Sequence, residues 1–290
     1  METTTARGTF TIPLADGRSL ALGDRTLVMG IVNATPDSFA GSVTDPDEAA
    51  ALALRMQEAR ADIIDIGGES TRPGADAVSE ADELARVIPV IERLAGRLHI
   101  PMSVDTYKAG VAAAALSAGA CIVNDISGLG YDHTLADVVA RTGAAIVLMH
   151  TRGRSRQMYR EAVYSDVVVE VAAELRQAMD RAEAAGIGAD RVILDPGLGF
   201  AKGADHSFAL LAALPRLHAL GRPLLIGPSR KSFLTAAMGQ ATPPERDWGT
   251  AAAVTAAILF GAHIVRVHDV GPMVQVARVA DAIRTRSPRV

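Results

Sequence analysis

The chain has 290 residues, 49% of them apolar, with a formal net charge of −4. This suits one large α/β unit, since α/β barrels take about 200 to 250 residues or more as a single domain. The 29 lysines and arginines are scattered, which excludes a basic footprint for nucleic acid, and no apolar run approaches a membrane span of about 18 residues. Cys121 has no second cysteine to pair with, and the start METTTARGTF lacks a signal-peptide pattern. A cytoplasmic protein with small-molecule partners is expected.

Gly8 to Leu22 alternates weakly around Ala15-Asp16-Gly17-Arg18, and a DG pair between β-prone runs predicts a hairpin that plugs or covers one end of the domain. The first buried strand is Thr26 to Val32. Asp45 and Pro46 then begin a helix that runs to about Arg60. Asp62 to Ile66 is strand two, and Ser79 with Asp82 starts the second helix in a capping-box-like pattern. The alternation continues with strand Pro101 to Val104, helix Tyr107 to Ala118, strand Cys121 to Val123, helix Thr134 to Thr142 and strand Ala145 to Met149.

The Arg-rich segment Thr151 to Glu161 precedes a helix from about Tyr164 to Ala185. Strand six is Arg191 to Leu194, helix six Ser207 to Leu220, strand seven Pro223 to Ile226. The alanine-rich helix Trp248 to Phe260, strand His263 to Val267 and helix Gly271 to Thr285 finish the chain. Eight strands, each followed by a helix, predict a (β/α)8 TIM barrel with an N-terminal β-hairpin: residues 1–25 as an extension and 26–290 as one barrel domain. An open doubly wound sheet is the alternative, but no G-x-G-x-x-G follows the first strand.

In a barrel the chemistry sits on the loops at the C-terminal ends of the strands. Asp105, Asn124, Asp195 and Lys231 come from four such ends and supply carboxylates, an amide and a cation. That set matches a flat heterocycle edged with donors and acceptors, such as a pterin, although each residue alone could simply cap the next helix. Arg266 and His268 flank Val267, so period two turns both to one face, where a guanidinium beside an imidazole suits a diphosphate. Asn33, on the neighbouring strand of the ring, could offer its amide oxygen to Mg2+ carried on that diphosphate. No His, Cys and carboxylate cluster suggests a zinc or iron cage.

The loops Thr35 to Thr44 and Gly67 to Ala77, with Phe39, Arg72 and Pro73 as their bulkier contents, read either as plain connections or as lids. His150 with the Arg-rich segment reads as a solvated loop, with a second anion site as the alternative. Cys121 is expected in the core, and Trp248 in helix packing.

The motifs MGIVNATPDSF, DIIDIGGESTRPGA, SVDT, VNDISG, LMH, ILDPGLGFAK, IGPSRKSFL and RVHDV, in this order from about Leu27 to the last helix, resemble the dihydropteroate synthases. The resemblance implies a cytoplasmic homodimer of folate biosynthesis, a target of sulfonamides. It would condense 6-hydroxymethyl-7,8-dihydropterin diphosphate with 4-aminobenzoate by an SN1-like route. It also implies that Asp105, Asn124, Asp195 and Lys231 hold the pterin. Asn33 with Mg2+, Thr71, Arg266 and His268 would serve the diphosphate, and Phe39, Pro73, Lys231 and Ser232 would border the aminobenzoate, with Asp195, Lys231, Arg266 and His268 carrying the catalysis. One departure is the first loop, where Ala40-Gly41-Ser42-Val43 replaces the usual SDGG after Ser38-Phe39. A weakly active or non-catalytic pterin-binding paralogue and a pterin-dependent corrinoid methyltransferase are the alternatives.

Overall fold

Asp16 and Gly17 turn the chain between β1 (Phe10–Pro13) and β2 (Ser19–Leu22), which pair antiparallel. The turn needs the left-handed backbone of Gly17 at φ 82°. The structure, a computed structural model, describes residues 7–35, 43–70, 74–154, 160 and 162–286.

After the hairpin, strand and helix alternate: β3 (Leu27–Asn33), α1 (Pro46–Glu58), β4 (Ile63–Gly67), α2 (Glu80–Leu94), β5 (Met102–Asp105), α3 (Ala109–Ala118), β6 (Ile122–Asp125), α4 (Leu135–Thr142), β7 (Ala145–Met149), α5 (Val167–Ala184) and β8 (Val192–Asp195). There follow α6 (Ala204–Ala212), α7 (Leu214–Leu217), β9 (Leu225–Ile226), α8 (Thr235–Met238), α9 (Asp247–Leu259), β10 (Ile264–Val267) and α10 (Val270–Arg286). The large sheet is parallel in the order β8-β7-β6-β5-β4-β3-β10-β9. A parallel bridge between Leu194 and Leu224 joins its two edges, with Leu194 N–H donating to Pro223 O at 3.0 Å. The sheet closes into the expected (β/α)8 barrel.

Helix starts follow local chemistry. Asp45 caps α1 by accepting from Asp47 N–H, Ser79 caps α2 by accepting from Asp82 N–H, and Asp166 caps α5 by accepting from Val168 and Val169 N–H. That last cap moves the start of α5 to Val167, three residues beyond the expected Tyr164. The expected helix Ser207 to Leu220 begins earlier, at Ala204, and divides, because Pro215 has no N–H to continue the ladder and instead sits in the first turn of α7. Strand β9 keeps only Leu225 and Ile226, since Pro223 cannot donate to a neighbour.

The pleat divides each strand between two cores. Val28, Ile64, Val104, Val123, Ile146, Leu194, Ile226 and Val265 face outward and are buried under the helices. Leu27, Met29, Ile63, Ile122, Val147, Ile193, Leu225 and Ile264 face inward and form a second cluster with Ile12, Leu14, Leu20 and Leu22. The hairpin therefore closes the N-terminal end of the barrel with apolar side chains. Cys121 lies in this inner cluster as expected, fully buried. Trp248 corrects the expectation of helix packing: it is 85% exposed on α9, whose inward face is taken by Thr250, Ala253, Val254, Ala257 and Ile258.

The same end is bolted by Arg7. Its buried guanidinium donates to Gly23 O at 2.9 Å, Thr26 Oγ1 at 2.7 Å and Ala262 O at 2.6 Å, and pairs with Asp281 of α10 at 3.4 Å. Asp281 also accepts from Thr26 N–H at 2.6 Å. Removing one member of a buried pair leaves the other charge uncompensated, whereas an exposed pair is worth little. Asp281→Ala should cost about 3 kcal/mol or more, read as a fall in the urea midpoint. Asp16→Ala, which breaks the exposed Asp16 to Arg18 pair, should cost less than about 1 kcal/mol.

Candidate active site

Two residues above each inward apolar position, the pleat turns the next side chain into the barrel. Above Ile63 stands Asp65, above Ile122 stands Asn124, above Ile193 stands Asp195, and above Ile264 stands Arg266. Asp105 occupies the matching place above Ser103 on β5, and Asp105 and Asn124 are Cα partners across β5 and β6. Strand ends as far as 201 residues apart in sequence thus put their polar groups in one layer over an apolar floor.

Arg266 sits between carboxylates. Its Nε donates to Asp65 Oδ2 at 2.6 Å and its Nη2 to Asp105 Oδ2 at 2.7 Å, and Asn124 Nδ2 donates to the same Asp65 oxygen at 2.9 Å. The guanidinium expected to serve a diphosphate thus already has carboxylate partners in the barrel. Both of these donors are engaged across the barrel, because Asp65 and Arg266 share the inward face. Asp65 is the site residue that the motif reading left without a role. It is wholly buried, and its Oδ1 and the buried Ser103 Oγ have no hydrogen-bond partner. The signal available was parity: Asp65 and Arg266 each follow an apolar residue by two positions on buried strands.

Asp195 ends β8, and its Oδ1 accepts from Gly197 N–H at 2.7 Å. Gly197 has φ 68°, and a Cβ there would collide with the backbone carbonyl of His150. Lys231 Nζ donates to Leu198 O at 2.6 Å and lies 4.5 Å from the centre of the Phe200 ring. Burial pushes the Lys231 ammonium down to about 8, although Asp195 opposes the shift. Burial raises the carboxyls of Asp105 and Asp195, with Arg266 the chief opponent at Asp105 and Lys231 at Asp195. Ile126, Met149, Tyr107, Tyr131 and Phe200 form a small apolar cluster beside this layer, and none of them was expected there from the motifs.

At the β10 end, His268 Nδ1 meets Ser229 Oγ at 2.9 Å, and His268 N–H donates to the same hydroxyl at 3.2 Å. Arg230 turns away, with φ 57°, into a two-pronged pair with Asp247 of α9 at 2.8 and 2.9 Å. This anchor leaves Lys231 directed inward. Ser232 opens the following turn and is exposed. Asn33 ends β3, next to β10 in the sheet, and its carbonyl accepts from Val43 N–H at 3.1 Å. Phe39, Thr71, Arg72 and Pro73, and the departing segment 40–42, lie outside the described residues.

His150 corrects a further expectation. It is buried, not part of a solvated loop, with Nε2 at 2.9 Å from Glu174 Oε2 and Nδ1 at 2.8 Å from Lys202 Nζ. Arg152 is likewise held, by Glu170 and Glu174 of α5.

Among the described residues no group of three His, Cys, Asp or Glu side chains could hold a metal ion. The amide oxygen of Asn33 and a buried Thr35 Oγ1 without a partner are hard oxygen donors at the β3 end. Such a sparse set fits Mg2+, which keeps its waters and is held by one or two protein oxygens plus substrate phosphates.

The layer contains three carboxylates, two cations and an amide, all on strand ends and loops of one mouth. Its chemistry is the recognition of a planar, polar-edged ring next to an anion. The chain matches the family described as pterin binding enzymes over residues 29–268. It is 48% identical to a dihydropteroate synthase of Synechocystis over 277 residues, covering 94% of this chain and 96% of that one. The dihydropteroate synthase of Yersinia pestis, solved with a sulfonamide drug complex, superposes with a TM-score of 0.90 at 41% identity, over 95% of this chain and 99% of that one. The enzyme of Xanthomonas albilineans, solved with 4-aminobenzoic acid, superposes with a TM-score of 0.87 at 44% identity, over 96% of this chain and all of the other. Fold, polar layer and similarity agree: this chain belongs to the pterin binding enzymes, among the dihydropteroate synthases.

Proposed function

We propose that the barrel mouth condenses 6-hydroxymethyl-7,8-dihydropterin diphosphate with 4-aminobenzoate, giving 7,8-dihydropteroate and diphosphate. The observation that carries this reading is the inward layer in which Asp105, Asn124, Asp195 and Lys231 stand together over an apolar floor. Asp105, Asn124 and Asp195 hold the donor edge of the pterin, Lys231 holds an acceptor, and Ile126, Met149 and Phe200 exclude water from its faces. The carbon–oxygen bond to the diphosphate breaks first, leaving a methylene cation conjugated with the electron-rich ring. The carboxylate of Asp195 stabilises that positive charge. The neutral aryl amine then forms the new carbon–nitrogen bond and loses a proton to solvent. No strong base is needed, which accounts for a site without a nucleophile and base pair.

His268 serves the diphosphate with Thr71, and Arg266 contributes positive charge from within the carboxylate layer. Asn33 would hold Mg2+, which when bound neutralises charge on the departing diphosphate. Phe39, Pro73, Lys231 and Ser232 border the aminobenzoate, which makes the same mouth the target of sulfonamides. Residues 26–290 act as one pterin-binding domain whose floor is the hairpin within the extension 1–25. The protein works as a cytoplasmic homodimer, for which the exposed Trp248, Val279 and Ile283 supply apolar surface; no described helix is long and apolar enough to cross a membrane.

The deciding experiment measures diphosphate release by the purified protein from the pterin diphosphate, with and without 4-aminobenzoate and Mg2+, checking the product by mass. Release that needs Mg2+ and yields dihydropteroate is expected. Tight binding of the pterin diphosphate without product would instead identify a non-catalytic pterin binder.

Two substitutions test the assignment of the layer. Asp195→Asn should weaken pterin binding by about 10- to 100-fold, since a hydrogen bond to a charged group is worth about 1.5 to 3 kcal/mol; unchanged affinity in calorimetry would remove Asp195 from the pterin site. Arg266→Ala should weaken the bare pterin as well as its diphosphate, because it leaves Asp65 and Asp105 facing one another uncompensated; an effect confined to the diphosphate would return Arg266 to the anion. A third test uses pH. Lys231 is cationic below about 8, so pterin affinity should fall as pH rises through that value, and a Lys231→Met variant should lack this limb.

A further inference from the structure

Among the described residues Lys202 has the largest fully buried side chain, and none of the roles above uses it. It closes the turn that begins at Asp195. Its Nζ donates to Phe200 O at 2.8 Å, to His150 O at 3.2 Å and to His150 Nδ1 at 2.8 Å. An ammonium has three protons, and here three acceptors stand around it. Because Nδ1 accepts, the proton of His150 lies on Nε2, which donates to Glu174 Oε2 at 2.9 Å. Glu174 in turn accepts from Arg152 Nε at 3.0 Å. A chain of contacts therefore runs from α5 through the end of β7 to the turn after β8.

That turn carries Asp195 and holds Lys231, two of the four groups assigned to the pterin. His150 N–H donates to Asp195 O at 2.9 Å, Gly197 presses on the His150 carbonyl, Leu198 O holds the Lys231 ammonium, and Phe200 lies under it. We propose that Lys202 is a positioning residue for the pterin reaction: its buried ammonium locks the Asp195 to Phe200 turn onto the end of β7 and gives Asp195 a fixed positive neighbour. This rests on the pterin reading of the site.

The charges around the pair support it. Asp195 faces Lys231, Arg266 and Lys202, and Lys202 faces Asp195, Lys231, Glu174 and Arg152. Burial raises the Asp195 carboxyl and takes the Lys202 ammonium well below the ordinary lysine range, and the field of each on the other opposes these shifts. Removing the Lys202 charge therefore makes Asp195 harder to ionise. Removing only the geometry, as an arginine would by replacing a compact three-proton head with a planar fork, leaves the charge in place.

The test is the affinity of the full-length protein for 6-hydroxymethyl-7,8-dihydropterin between pH 5 and 8, alongside the thermal midpoint. Lys202→Met is expected to weaken binding at least tenfold at pH 6 and to move the acid limb of the binding curve to higher pH. Lys202→Arg is expected to weaken binding while leaving that limb where the wild type has it. Should Lys202→Met not fold, Glu174→Leu, at a half-exposed position, is expected to weaken binding three- to tenfold by releasing His150. Wild-type affinity in these variants overturns the proposal, as does a lowered thermal midpoint with an unmoved acid limb in Lys202→Met, which would make the lysine merely structural. Failure of the wild type itself to bind the pterin would instead overturn the functional reading on which the proposal stands.

Discussion

A guanidinium held between two carboxylates inside a barrel is costly to bury and specific once buried. Arg266 reaches Asp65 on one side and Asp105 on the other, and Asn124 donates to the same Asp65 oxygen that Arg266 meets. Taking these charges from water is repaid only when the geometry satisfies them mutually. Four strands, β4, β5, β6 and β10, must therefore agree in register for the layer to exist. A slip of one residue on any of them would turn its polar group outward into the helices and its apolar neighbour into the mouth. The polar layer thus constrains the strand register of the barrel as well as its chemistry.

The apolar floor works with this layer. Ile63, Ile122, Ile193 and Ile264 lie two residues beneath Asp65, Asn124, Asp195 and Arg266, so water has no access from below and the charges act in a medium of low polarisability. This environment raises the carboxyls of Asp105 and Asp195 and lowers the Lys231 ammonium. A substrate that supplies its own donors and acceptors relieves a cost already present in the fold.

Much of this was legible in the chain. Short β-branched runs delivering Asp105, Asn124 and Asp195 to strand ends, and the Asp16-Gly17 hairpin, are local signals and needed no partner to be read. The Arg266 contacts were not, because Asp65 lies 201 residues away and period two fixes only which face a side chain takes, not what it meets there. Lys202 was hidden for a similar reason: a lysine after Gly-Phe-Ala looks solvated until His150, 52 residues earlier, is brought beside it. His150 looked solvated in an Arg-rich stretch whose Arg152 is in fact spent on α5. Trp248 misled in the other direction, since an aromatic in an alanine-rich helix suggests packing, yet it falls on the face of that helix opposite the buried Ala253, Val254, Ala257 and Ile258.

The hairpin floor has a consequence for traffic. With Ile12, Leu14, Leu20 and Leu22 filling the N-terminal end, the described residues leave the barrel open at the C-terminal ends of its strands. Molecules that share the cavity must queue: the one seated deepest enters first and departs last, whatever their individual affinities. An occupant of the rim then acts as a cork, and its dwell time governs how long whatever lies beneath it stays.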